Sequence, residues 1–131
     1  MNVHEMWAAD VASRSLGMEL VEVGDGTAVV RMLVREDMVN GHGMCHGGLV
    51  ATLADSAFAL ACNSRGVPTV AAGFDVTFLQ PTHADEALVA SAVERTLAGR
   101  SGIYDVTVTT EGGAVVAEFR GRSRALPGGV A

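Results

Sequence analysis

The sequence contains no lysine: all nine of its basic residues are arginine, set against fifteen acidic residues for a net charge of −6 at neutral pH. Without lysine there is no Walker-type phosphate loop, no Schiff-base residue and no lysine general base. An acidic balance also argues against nucleic acid or an anionic membrane as partner, since both need a basic footprint. Cysteine is scarce as well. Cys45 and Cys62 are too few for a disulfide framework or a four-cysteine zinc site. The longest apolar stretch, residues 47–62, is too short to span a bilayer and carries Asp55 in its middle. The start of the chain holds His4, Glu5 and Asp10 where a secretory leader needs a basic start and an apolar run. These shortages together lead to the expectation of a soluble cytoplasmic domain. What is plentiful is apolar: 49% of the 131 residues are hydrophobic, enough for one core in one domain over residues 1–131.

Periodicity sets the expected elements. Residues 1–15 read as a short amphipathic helix with Met6, Trp7 and Val11 on one stripe, broken at Gly17. Residues 18–23 and 27–35 read as strands joined at Gly24-Asp25-Gly26, with Ala28, Val30, Met32 and Val34 on the buried face. A polar loop over 36–43 follows. Residues 46–65 are rich in alanine and leucine and stop at Gly66 and Pro68, as a helix does. That helix is apolar nearly all round, so other structure must wrap it. Strand-like runs over 69–79, 87–97, 101–109 and 114–124 come next. Tyr104, Val106 and Val108 alternate against Asp105, Thr107 and Thr109, and Val115, Ala117 and Phe119 against Glu118 and Arg120. Residues 127–131 read as a flexible tail. The expected class is α+β, an antiparallel sheet curved around one long helix.

Asp55 is the most informative residue. Aspartate is a poor helix former, and a buried unpaired carboxylate costs several kcal/mol or must stay protonated. Either its charge reaches solvent or an arginine, or it is a working carboxylate at a cleft. Upstream, Asn40-Gly41-His42-Gly43-Met44-Cys45-His46-Gly47-Gly48 delivers a glycine-rich loop onto the helix start. Free N–H groups at Gly47 or Gly48, at the positive end of the helix dipole, suit a developing oxyanion. Gly47 and Asp55 are eight positions apart, roughly 12 Å along a helix, whereas a base must come within about 3 Å of the reacting group. If both serve one substrate, the second must come from another copy of the chain, which predicts a site at a homodimer interface. Cys45 beside His46 and near His42 raises a thiolate nucleophile or a metal site. Neighbouring side chains diverge, however, and no further ligand has a fitting spacing. Cys62 reads as core. Arg65, Arg100 and Arg122 are candidates for binding phosphates, with Arg100 in its Gly99–Ser101 turn preferred; solvation or salt bridging is the ordinary alternative for each.

Asn40–x5–His46–Gly47–Gly48–x6–Asp55, with Ala61-Cys62-Asn63-Ser64, the Phe78-Leu79-Gln80-Pro81 run and Gly99 to Asp105, resembles the PaaI-type hotdog-fold acyl-CoA thioesterases over residues 16–126. The resemblance implies a sheet wrapped around one helix, dimers with a continuous sheet and interfacial sites, and doubling to a tetramer. It implies hydrolysis of an acyl-CoA thioester with no metal or organic cofactor, phenylacetyl-CoA or a hydroxylated or other aromatic relative being the substrate by family name. By the same resemblance, Asp55 acts from the partner subunit as general base or nucleophile, and the Gly47 N–H polarises the thioester carbonyl. His46 orients that carbonyl or the loop, and Asn40 positions the carbonyl or the water. Some relatives add a serine on the strand after the helix. Here that stretch is Val70-Ala71-Ala72-Gly73, with no hydroxyl. A non-catalytic acyl-CoA binder is the alternative, with enoyl-CoA hydration and a cysteine hydrolase ranked below it.

Overall fold

The computed structural model describes residues 1–127. The chain opens with two short helices, α1 (Val3–Ala9) and α2 (Val11–Ser15). Strands β1 (Glu19–Gly24) and β2 (Thr27–Leu33) follow, then the central helix α3 (Gly47–Cys62). Four further strands complete the chain: β3 (Thr69–Phe78), β4 (Ala87–Ala98), β5 (Ser101–Thr110) and β6 (Val115–Ala125). All strand pairs are antiparallel, and the sheet order is β1-β2-β4-β5-β6-β3. The sheet curls around α3, so the hotdog architecture expected from the sequence is the one observed.

The expected N-terminal helix is divided at Asp10. Its carboxylate accepts the Ser13 N–H at 2.9 Å, which favours a helix cap over a helix interior. Met6 and Trp7 pack toward the core as expected, but the division turns Val11 outward and leaves it 74% exposed. The central helix also ends earlier than Arg65. The Asn63 amide donates to the carbonyls of Ala59 and Thr69 and accepts the Thr69 N–H, tying the chain across to β3. Gly66, at φ +82°, takes the left-handed turn that follows. A one-turn 3-10 helix, Glu36–Met38, lies inside the expected 36–43 loop. Of the expected tail 127–131, residues 128–131 lie outside the described residues.

The buried faces follow the alternation along the strands. Ala28, Val30, Met32, Val34, Tyr104, Val106 and Val108 are all buried. On β6 a register shift opposite Val108 and Thr109 turns Val116 as well as Ala117 inward, so Val115 is not the core residue that simple alternation places there. Phe58 of α3 is the centre of the core, with ring centroids 5.5 Å from Tyr104 and 5.8 Å from Phe119. Its ring sits directly over Gly121, where a Cβ would meet three ring carbons at 2.8 Å. Gly121 thus lets β6 approach the helix closely. Gly121→Ala is expected to cost about 1–3 kcal/mol through overpacking, read as a lower midpoint in urea denaturation with an unchanged slope.

No helix among the described residues is long and apolar enough to cross a membrane.

Candidate active site

The loop before α3 is organised by one side chain. Asn40 Oδ1 accepts the N–H groups of His42 at 2.9 Å and Met44 at 3.2 Å, and the Asn40 N–H donates to the Met44 carbonyl at 2.7 Å. The strand-like bridge between Val39 and Cys45 then brings the chain back toward the helix. His46 is the N-cap of α3, outside the helical region at φ −59° and ψ 129°, and its Nδ1 accepts the Gly48 N–H at 3.1 Å. Of the two glycine N–H groups at the helix start, His46 therefore takes one. Among the described residues the Gly47 N–H has no hydrogen-bond partner, so the donor at N1 is the one left at the positive end of the helix.

Gly47 opens onto a cavity of about 340 Å³, lined by Asn40, Met44, Val50, Phe78, Thr82 and Val116 among others. That volume suits a small organic group. The wall is mostly apolar, with Asn40, Gln80 and Thr82 contributing polar side chains and Gly47 its backbone. A Cβ on Gly47 would meet the Phe78 ring at 3.1 Å, so glycine there lets the ring close against the backbone. Phe78, Gln80 and Thr82 are pocket residues that the chemistry of the individual residues does not single out. The Phe78-Leu79-Gln80-Pro81 run stands out in the sequence only through its family resemblance, and the register of β3 opposite β6 is what aims Phe78 at Gly47.

Asp55 does not line this cavity. It lies two turns further along α3, half-buried, and among the described residues no hydrogen bond holds its carboxylate. Burial chiefly, and the nearby charge of Asp10 secondarily, push it above the ordinary carboxylate range. Within one chain, then, the structure brings Asn40, His46 and Gly47 together and leaves Asp55 apart from them.

Neither cysteine is poised as a nucleophile. Cys45 is buried and its thiol is pushed up by that burial; Cys62, half-buried on α3, is pushed up to about 12. Among the described residues no three histidine, cysteine, aspartate or glutamate side chains converge as a metal site would need.

The three arginines lie elsewhere. Arg65 pairs with Glu94, and Arg122 pairs with Asp75 at 3.0 Å. Arg100 donates from Nε to the Ala125 carbonyl at 3.0 Å, and among the described residues no carboxylate pairs with it. Arg65 and Arg100 border a second, smaller cavity near Cys62, at the opposite end of α3 from Gly47.

One part of the sheet is uncovered. Phe74 stacks on the buried Phe119 at 4.7 Å between centroids, yet Phe74 is 41% and Phe78 50% exposed. Both lie on β3, a strand at the edge of the sheet. An edge strand with exposed aromatic side chains beside the cavity is a surface to be paired.

Comparison with known proteins shows the family and the fold. Residues 42–117 match the thioesterase superfamily. The chain is 40% identical to the acyl-coenzyme A thioesterase PaaI of Escherichia coli K12, over 97% of this chain and 91% of that one. The structure of the E. coli PaaI protein from the phenylacetic acid degradation operon superposes with a TM-score of 0.93, covering 95% of this chain and 91% of that chain. A mutant form of the phenylacetic acid degradation protein PaaI of Thermus thermophilus superposes with a TM-score of 0.86 at 41% identity, over 89% of this chain and all of that one.

Proposed function

Because the chain belongs to the thioesterase superfamily and is a PaaI-type acyl-CoA thioesterase, we propose that it hydrolyses an arylacetyl-CoA such as phenylacetyl-CoA, at a site completed by a second copy of itself. The observation that carries the two-chain site is the separation on α3. Gly47, its N–H unpaired among the described residues, lines the cavity, and Asp55 of the same helix does not. In the proposed two-fold dimer, β3 edges pair over Phe74 and Phe78, and, as the family resemblance implies, the Asp55 of each chain serves the other chain's cavity.

In this reading the acyl group occupies the apolar cavity against Val50, Phe78 and Val116. The thioester oxygen lies at the Gly47 N–H, with the Asn40 amide as a second positioning group and His46 holding the loop in place. Asp55 takes a proton from a water molecule whose oxygen attacks the thioester carbon. Negative charge gathers on the carbonyl oxygen, where the N–H and the helix dipole stabilise it. The C–S bond then breaks, releasing the carboxylic acid and coenzyme A as its thiol once the sulfur takes up the proton. Arg100, with no carboxylate partner among the described residues, is the first choice for the nucleotide phosphates, ahead of Arg65 and Arg122 with their ion pairs. A cytoplasmic location belongs to the same reading, supported by the two unpaired cysteines. A dimer of dimers is the assembly proposed, to be read by light scattering.

Thiol release from an acyl-CoA panel tests the substrate reading. Phenylacetyl-CoA is expected to show the highest kcat/KM, above benzoyl and short aliphatic acyl groups. A preference for long aliphatic chains, or no release at all, would overturn it. The pH profile is a separate check. The base must be ionised and its pKa is raised, so activity falls as pH drops through a value above the ordinary carboxylate range.

A further inference from the structure

The second N-terminal helix, α2, bears on α3 at the turn that carries Asp55. Asp10, the cap of α2, accepts the Ser13 N–H on Oδ1 at 2.9 Å and the Ser13 hydroxyl on Oδ2 at 2.7 Å. The Ser13 hydroxyl lies 2.7 Å from that of Ser56, the residue after Asp55, and both serines are buried, at 2% and 8% exposure. Each hydroxyl has one hydrogen. Ser13 gives its hydrogen to the Asp10 carboxylate, so Ser56 must give its own to Ser13. The result is a directed chain, Ser56 to Ser13 to Asp10, linking a carboxylate outside α3 to the position beside the catalytic one.

We propose that Asp10 is a positioning residue for the hydrolysis, tied through Ser13 to Ser56 on the α3 turn that carries Asp55, so that its charge bears on the catalytic carboxylate. This rests on the reading of Asp55 as the base. A like charge nearby disfavours ionisation, and a base whose pKa approaches the working pH accepts a proton more readily than an ordinary carboxylate. The direction agrees with the electrostatics: burial raises Asp55 most, and Asp10 is the neighbouring charge that adds to it. Among the described residues, the charged and titratable groups near Asp55 are Asp10, from the α1–α2 junction, and Cys62 on its own helix. The strands wrapped around α3 contribute none. The cation of that junction, Arg14, donates to the Ala8 carbonyl and makes no ion pair with Asp10 among the described residues.

The test is the pH dependence of kcat/KM for thiol release from the best substrate of the panel, in the full chain and in Asp10→Asn, Ser13→Ala and Asp55→Asn. Asparagine caps a helix as well as aspartate, so Asp10→Asn removes the charge and keeps the cap. Ser13→Ala keeps the charge and cuts the link to Ser56. Both are expected to move the acid limb to lower pH and to lower the plateau kcat a few-fold, with KM unchanged. A purely structural role would lower Tm without moving the limb. A limb matching the parent chain in either variant therefore overturns the proposal. Loss of activity in Asp55→Asn with an unmoved limb in Asp10→Asn removes only the role of Asp10. Full activity in Asp55→Asn removes the base itself, and this proposal with it.

Discussion

Asp55→Asn is expected to lower kcat by about 10³-fold, within the range that removal of a general base costs, while the protein stays folded. The substitution is close to isosteric, and no hydrogen bond to the carboxylate is lost among the described residues. Its effect on stability has a definite sign. Asp55 is raised above its unfolded value, so between the two values the native state binds more protons than the unfolded one. Stability contributed by its protonated form is present at low pH and lost as pH rises through the folded value. At neutral pH the native carboxylate is thus a net liability, and the neutral amide relieves it. Asp55→Asn should raise Tm while lowering turnover by that factor, a pairing typical of residues kept for function and not for folding. A variant that loses turnover because it unfolds would show the opposite change in Tm.

The second large effect is at Gly47, where a backbone N–H has to be removed without disturbing the helix. Position N1 is the one place in a helix where proline is favoured, because its missing N–H has no partner inside the helix. The preceding residue must lie outside the helical region, and His46 at φ −59° and ψ 129° already does. Gly47→Pro therefore deletes the donor and leaves the start of α3 intact. Gly47→Ala is the control, since it adds the Cβ that meets Phe78 at 3.1 Å and keeps the N–H. Relative to the alanine variant, Gly47→Pro should lose a further 10²- to 10³-fold in kcat, about the effect of deleting one oxyanion donor. Equal activity in the two variants would show that the Gly47 N–H plays no part.

The strands were legible because their period-two patterns coincide with burial. Ala28 through Val34 and Tyr104 through Val108 alternate with polar neighbours and face the core as that alternation requires. The breaks were less legible. Asp10 and Ser13 have the three-residue spacing of an N-cap, yet within a continuous apolar stripe that spacing reads as helix interior. Asn63 ends α3 through a side chain that reaches Thr69, and nothing local to Asn63 announces that contact. In the candidate site, Gly47 and Asp55 could be picked out because a glycine-rich loop running into an apolar helix with one carboxylate is unusual chemistry, whereas Asn40 and His46 took their roles from the family resemblance. The pocket wall could not. Phe78 meets Gly47 only through the register of β3 on β6. The engagement of Arg65 by Glu94 likewise depends on the sheet's curvature, which brings β4 to the end of α3.

Mixing two inactive chains tests the two-chain site most directly. Asp55→Asn and Gly47→Pro are each expected to be inactive alone, since either removes one half of both sites in a two-fold dimer. After co-expression, half of the dimers carry one chain of each kind. In those, one of the two sites combines an intact Gly47 with an intact Asp55 from the other chain, so thiol release should return to about one quarter of the parent activity. If Gly47 and Asp55 instead served the same substrate from a single chain, every site in the mixture would lack one group. The mixture would then be as inactive as its components, contradicting the shared site.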